Sequence, residues 1–370
     1  MKTRTLTSVV LAVAMLLSLA ACSSGQTPET KPPATAAPDV PSTTNPAAST
    51  NYEYPEVTWK VAHACQDGSP SDIGCKAFAD YITETSGGKI KVEVYPAGQL
   101  GTDIAELESC QLGDLEFTSG STFALQQVSS IDGCLMWDLP YFFSPFSVLD
   151  NDKIALMKDD PSYQSIFVDQ LREKNIHYIN QSAHGNYVIF GNKPFHSVED
   201  FKNVKLRAAE NAMLVETLQE WGAQPVVINM FELFTALQQG ACDAAYVPDA
   251  LAYQFGLQDA CKYVTYFEGG LGPCYLSCAE SFYQQWDLEV QQLITEAGEK
   301  YWEASSAAYN EQCQQFIDAF EAGNCEVVWL TQDEKDALRE AASGTHSHWR
   351  DLCGADLYDA SQAYIADVLQ

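Results

Sequence analysis

From residue 56 onward, short runs of β-branched and aromatic residues alternate with longer stretches whose apolar positions recur every three or four residues, a rhythm that predicts α/β architecture. Val57 to Ala62 reads as a first strand. Ser71 to Ser86 follows as a helix with Ile73, Ala77 and Tyr81 on one face and Gly87-Gly88 as its stop. Lys89 to Tyr95 alternates polar and apolar, the pattern of a half-exposed strand. Thr102 to Leu112 is the next helix, and Leu115 to Thr118 the next strand, opening into a polar loop from Ser119 to Thr122. Further on, Asn203 to Arg207, Val226 to Ile228 and Cys242 to Val247 read as strands, separated by helices over Ala212 to Trp221 and Phe231 to Gln239. Such β, α, β, α, β order with short connections predicts a parallel sheet. Asp287 to Ala322 contains no proline and one glycine, Gly298, and its apolar residues keep helical spacing. A continuous helix there would be roughly 54 Å long, enough to act as a strut across two lobes.

The N-terminus has a different pattern. Lys2 and Arg4 precede an apolar run from Leu6 to Leu19, too short for a stable membrane span, and Leu19-Ala20-Ala21-Cys22 ends it. Small residues running into a cysteine resemble the bacterial lipobox, so residues 1–21 are expected to be removed and Cys22 lipidated. Residues 23–53 are mostly Ser, Thr, Pro, Ala and Gly, a composition that cannot offset its ordering entropy. With Cys22 they are read as a flexible linker, residues 22–53, which leaves residues 54–370 as the globule.

Charge then narrows the partners. The chain carries 20 Lys+Arg against 50 Asp+Glu, a formal charge of −30. Nucleic acid is excluded, because neutralising phosphates requires a basic face. Apart from Cys22 there are 11 cysteines, an odd number. Cys65/Cys75 and Cys313/Cys325 are the nearest loop closures by spacing, but connectivity does not follow from sequence. Walker, Gly-x-Gly-x-x-Gly, Gly-x-Ser-x-Gly and His-Glu-x-x-His patterns are absent, so no catalytic residue and no cofactor are assigned. His346 and His348, near Glu340 and Asp351, could ligate a metal but read better as an exposed polar loop. Asp159-Asp160 and Asp333-Glu334 fall at helix starts, where charge suits the macrodipole. Arg207 ends a strand in a chain with few basic residues. Ligands bind beyond the carboxyl ends of strands in open α/β sheets, and a guanidinium fork matches a carboxylate.

Several separated segments then carry a family resemblance. Lys205-Leu206-Arg207, Gly222-Ala223-Gln224-Pro225, Glu232 to Gly240 and Asp243 are similar, in order, to the solute-binding proteins of tripartite ATP-independent periplasmic (TRAP) transporters. Gly87 to Val92, Tyr95-Pro96, Gly98 to Gly101, Asp138 to Phe143, Lys193-Pro194 and Val198 to Lys202 extend the likeness over nearly the whole globule. The resemblance implies a two-lobed α/β clamshell, periplasmic-binding-protein-like, with a long helix crossing both lobes. By analogy lobe I spans about 54–184 and 273–310, and lobe II about 185–272 and 311–370. It also implies a small organic carboxylate as ligand, TRAP membrane permease subunits as partners, and Arg207 pairing with the ligand carboxylate. Where many members carry a second Arg this chain has Tyr187, and the family's Asp-Gly-x-Glu-Asn-Pro reads Asp243-Ala244-Ala245-Tyr246-Val247-Pro248. The expected pocket is therefore lined by Tyr187, Tyr246 and Val247, with Asn211, Glu232, Ser119, Ser121 and Thr122 as polar contacts. That lining favours a monocarboxylate with an apolar or aromatic body over a diacid. A sensory or ABC-type binding module is the alternative reading, and an exported hydrolase a more distant one.

Overall fold

A computed structural model describes residues 52–143, 160–323 and 325–368; the expected signal peptide, Cys22, most of the linker and Asp159 lie outside them. Among the described residues nine strands form one hydrogen-bonded sheet in the order β2-β1-β3-β8-β4-β7-β5-β6, with β9 beside β8. The strands are β1 Val57–His63, β2 Ile90–Tyr95, β3 Phe117–Ser121, β4 His177–Gly191, β5 Lys205–Ala208, β6 Gln224–Val227, β7 Ala244–Pro248, β8 Tyr263–Cys278 and β9 Glu326–Trp329.

Two long antiparallel strands make the sheet two-lobed. The C-terminal part of β8 (274–278) pairs with β3 and with the start of β4, and β1 and β2 continue that half in parallel. The far end of β4 (187–191) pairs with β7, which is followed in parallel by β5 and β6, while β9 pairs with the start of β8. Between the halves the β4–β8 register slips at Ala183/Asn186 and again at Asn186/Val188. Irregular pairing of this kind bends and twists a ribbon, and here it falls at the crossing. Gly185 takes φ 139° there, and a methyl on it would stand 2.6 Å from Asp249 Oδ1.

The strut is the helix Leu288–Ala322, capped by Asp287 accepting from the Val290 amide. Its Tyr301 hydroxyl meets Ser119 Oγ at 2.8 Å and Ser182 Oγ at 2.9 Å, on β3 and β4. Two turns later its Tyr309 hydroxyl accepts from the Asn186 amide at 3.0 Å and donates to Asp249 Oδ2 at 3.3 Å. One helix is thereby tied to both sides of the slip.

Three expectations change. The stretch Ser119–Thr122 is the end of β3 and the first residue of the helix Thr122–Ser129, not a loop. His346 and His348 lie on the helix Ser343–Cys353 and face different partners: His346 contacts Pro140 O and Tyr358 Oη, and His348 contacts Glu216. Cys75, Cys313 and Cys325 are thiols, so neither Cys65/Cys75 nor Cys313/Cys325 is a disulfide; Cys75 is instead fully buried against Ser119, and Cys65 lies beside Cys274 on β8. Glu334 forms a capping box with Thr331, the structural role expected for Asp333-Glu334.

Candidate ligand cleft

The carboxyl ends of β1 and β3 in one half, and of β5 and β7 in the other, converge on the β4–β8 crossing, the place where open α/β sheets accept ligands. Arg207 sits on β5 and is only 5% exposed. Its Nε donates to Ile228 O at 2.9 Å and its Nη1 to Tyr246 O at 3.2 Å. Among the described residues no Asp or Glu pairs with it, and burial lowers its pKa to about 10. A buried guanidinium held by two backbone carbonyls keeps further N–H donors and an uncompensated charge.

Aromatic rings pack beside it. Tyr187 on β4, 9% exposed, lies 4.7 Å from Tyr246 on β7, and Tyr246 lies 5.4 Å from Phe267, which is on β8. Glycine makes this packing possible: a methyl on Gly270 would stand 3.0 Å from the Tyr187 ring and 3.2 Å from Tyr246 Oη. That Tyr246 hydroxyl is buried with no hydrogen-bond partner among the described residues. Burial pushes the Tyr187 hydroxyl pKa well up; the Asp138 charge adds to the rise and the Arg207 charge opposes it. Asp138, 2% exposed, accepts from Thr122 Oγ1. Opposite, Tyr141 at φ 61° and Glu268 at φ 51° hold left-handed backbone, joined by a bond from the Tyr141 amide to Gly269 O. Bulky residues seldom adopt that conformation without a surrounding structure that imposes it.

The remaining expected residues divide by the hydrogen bonds they already make. Asn211 is buried and caps the helix Ala212–Glu220, accepting from the Met213 and Leu214 amides. Ser121 caps the helix Thr122–Ser129 and donates to Asp103 Oδ2 at 2.6 Å. Ser119 is fully buried, on the strut side of β3, with its hydroxyl engaged by Tyr301. Val247 is fully buried and paired with Val188 in the sheet. Glu232 is exposed in the first turn of the helix Met230–Gln239, where its charge suits the dipole.

Asp103 and Asp138 are acidic neighbours of these residues that the sequence reading did not single out. Below the β1 end, His63 Nε2 meets Asp72 Oδ1 at 3.2 Å; burial alone would lower the His63 pKa, but Asp72 and Cys65 bring it up to about 9. Glu106 is buried without a hydrogen-bond partner among the described residues, and desolvation pushes it up to about 8. A cavity of about 320 Å³ opens between the loop after β1 and the second half, lined by Cys65, Asp67, Ala97, Phe231, Leu251 and Phe255 among others. Among the described residues no cluster suited to a metal ion occurs.

Residues 61–351 match the model for bacterial extracellular solute-binding proteins, family 7. The ectoine-binding periplasmic protein TeaA of Halomonas elongata is 24% identical over 84% of this chain and 89% of its own. The C4-dicarboxylate-binding protein DctB of Bacillus subtilis is 24% identical over 82% of this chain and 85% of its own. The solved structure of the Halomonas elongata ectoine-binding protein superposes with a TM-score of 0.77 at 24% identity, covering 84% of this chain and 100% of that one. A periplasmic solute-binding protein from Shewanella oneidensis with bound succinate gives 0.74 at 20% identity, over 84% and 99%.

Proposed function

The chain belongs to family 7 of the bacterial extracellular solute-binding proteins, the binding proteins of TRAP transporters and not enzymes; from that premise we propose that it captures a small organic carboxylate on Arg207 and delivers it to membrane permease subunits. The carrying observation is the guanidinium itself, buried, fixed by two backbone carbonyls and lacking a described acidic partner. Leaving such a charge unpaired is costly, so a ligand carboxylate is its natural complement. Solutes named for the relatives agree in chemistry, since ectoine and C4-dicarboxylates all bear a carboxylate. We take the moving lobes as about 54–184 with 273–310, and 185–272 with 311–370, turning about the β4–β8 slip.

Thermal unfolding across a panel of carboxylates and matched neutral amides tests this reading. A carboxylate at a hundred times its dissociation constant should stabilise the fold by about 2.7 kcal/mol, and its amide should not. Stabilisation by the amides alone would contradict it.

We also propose that Cys22 carries the lipid that holds the receptor at the outer face of the cell membrane. No described helix is long and apolar enough to cross a membrane. Cys22→Ala should move the folded protein to the soluble fraction and abolish metabolic lipid labelling; equal retention in the membrane would contradict this.

A further inference from the structure

A large aromatic side chain stands in solvent at the cavity between the two halves. Phe231, in the first turn of the helix Met230–Gln239, is 82% exposed, and its ring meets Phe255 edge-on at 5.6 Å. Both rings line the cavity of about 320 Å³, with Gln254 on the same wall. The facing wall belongs to the other half: Ala64 and Gln66 from the loop after β1, and Ala97 from the loop after β2. Backbone bonds hold that wall in place. The Ala97 amide, at a left-handed φ of 56°, donates to Cys65 O at 2.8 Å, and the Gly98 amide donates to His63 O at 3.1 Å. Beneath it, Asp72 meets the buried His63 at 3.2 Å and accepts from the Gly68 amide at 2.8 Å. On the other side, Asn229 accepts from the Phe231 amide at 3.0 Å and so fixes the turn that carries the ring. Two preformed walls face each other across a gap, and one of them presents an unburied ring. Gln254 Oε1, on that same wall, is shielded from water with no hydrogen-bond partner among the described residues.

We propose that Phe231 is a latch: as the lobes close, its ring leaves water and packs against the wall formed by Ala64, Gln66 and Ala97, and that contact sets the share of closed receptor without touching the solute. The proposal rests on the reading of two lobes that turn about the β4–β8 slip and enclose a carboxylate on Arg207. A single exposed apolar side chain needs no explanation by itself. What singles out Phe231 is the wall opposite, contributed by a distant part of the chain and surfaced by two alanines that leave room for a ring. Burying a phenyl ring is favourable enough to move a two-state equilibrium by an order of magnitude. The ring is unburied while the gap is open, so this gain belongs to the closed form alone. Closure also brings Gln66, exposed on the facing loop and carrying an amide donor, toward the unpartnered Gln254 Oε1. While the free receptor is mostly open, apparent affinity scales with the closed fraction, so the latch multiplies the affinity of every solute by one common factor. Phe231 is in this sense a positioning residue, acting through the lobe that carries Arg207.

Phe231→Ser, at an exposed position, should leave the unfolding midpoint of the solute-free protein nearly unchanged. Calorimetry with the carboxylates of the thermal panel, succinate, phenylpyruvate and ectoine among them, should show each one that binds the wild type binding the variant about tenfold more weakly, by the same factor throughout. Phe231→Leu, which keeps most of the apolar area, should restore most of the affinity. Factors that differ from solute to solute would make Phe231 a solute contact, and unchanged affinities with impaired delivery to the membrane subunits would make it a docking residue. Either result overturns the latch and leaves the carboxylate reading intact. A second readout needs no solute. With p-benzoylphenylalanine in place of Phe231, irradiation of the whole receptor should crosslink position 231 to residues 64–67 or 97 of the same chain, and a binding carboxylate should raise the yield. Absence of that crosslink overturns the latch whatever the panel shows, whereas a crosslink with no panel member bound keeps the latch and overturns the carboxylate reading.

Discussion

Asp249→Ala should lower the unfolding midpoint by about 4 to 5 °C, corresponding to about 3 kcal/mol against an unfolding entropy of about 2.1 cal/mol/K per residue over a globule of roughly 317 residues. Asp249 is fully buried at the β4–β8 crossing. It accepts from the Ala250 amide at 2.8 Å, the Asn186 amide at 3.0 Å and the Tyr266 and Tyr309 hydroxyls at 3.3 Å. Those donors come from four elements, β4, β8, the strut and the helix Asp249–Gln254, so one truncation strands three buried donors at once and leaves the Asn186 amide with the Tyr309 hydroxyl alone. Burial raises the Asp249 pKa to about 7 from 3.8, against the pull of those donors. The native state then holds a proton that the unfolded chain releases, from about pH 4 up to about pH 7. Stability from this group is therefore greatest at the acid end of that window, falls by at most about 1.4 kcal/mol per pH unit as pH rises, and is level above it. Asp249→Asn should remove that slope, leaving the parts contributed by Glu106 and, above about pH 6.5, by His63. Denaturant melts at half-unit intervals from pH 5 to 8 measure both effects; an Ala variant with unchanged midpoint would show that the crossing is held otherwise.

Much of the frame was legible because the parallel units alternate cleanly between short strands and glycine-stopped helices. Glycine in left-handed backbone ends the helices Asp103–Leu112 and Met230–Gln239, as the pattern suggested. The two longest strands were not legible. β4 and β8 are interrupted by register slips and by Gly185, Gly269, Gly270 and Gly272, and most of their described residues are buried, which erases the alternation that marks a half-exposed strand. Ser119 was misplaced for a related reason: β3 runs on to Ser121, and alternation turns Ser119 toward Tyr301. The helix Ser343–Cys353 was hidden by its Ser, Gly, Thr and His content; helical order there comes from tertiary partners such as Glu216 and Pro140. Arg207 was legible from its place at a strand end and its surrounding motif. Asp138 was not, because it lies on a helical turn far from β5 in the chain, and nothing in its spacing relates it to Tyr187.

Arg207→Gln should cost the largest share of binding. Truncating one partner of a desolvated, hydrogen-bonded charge pair costs about 2 to 5 kcal/mol, and at roughly 1.4 kcal/mol per decade the loss exceeds tenfold. Long-range compensation by the acidic surface is weak, since charges beyond about 8 Å are largely screened at physiological salt. The Arg207 fork is local and dry, so the effect belongs to the contact and not to the net charge of −30. Gln keeps a donor toward Ile228 O or Tyr246 O and most of the volume, which protects the fold while removing the cation. The decisive measurement is calorimetric titration of wild type and Arg207→Gln, both verified as folded, with the tightest carboxylate found for the wild type. The account predicts a dissociation constant raised more than tenfold in the variant, with the amide of the same solute binding both proteins equally poorly. Equal affinity of the two proteins for the carboxylate would contradict it.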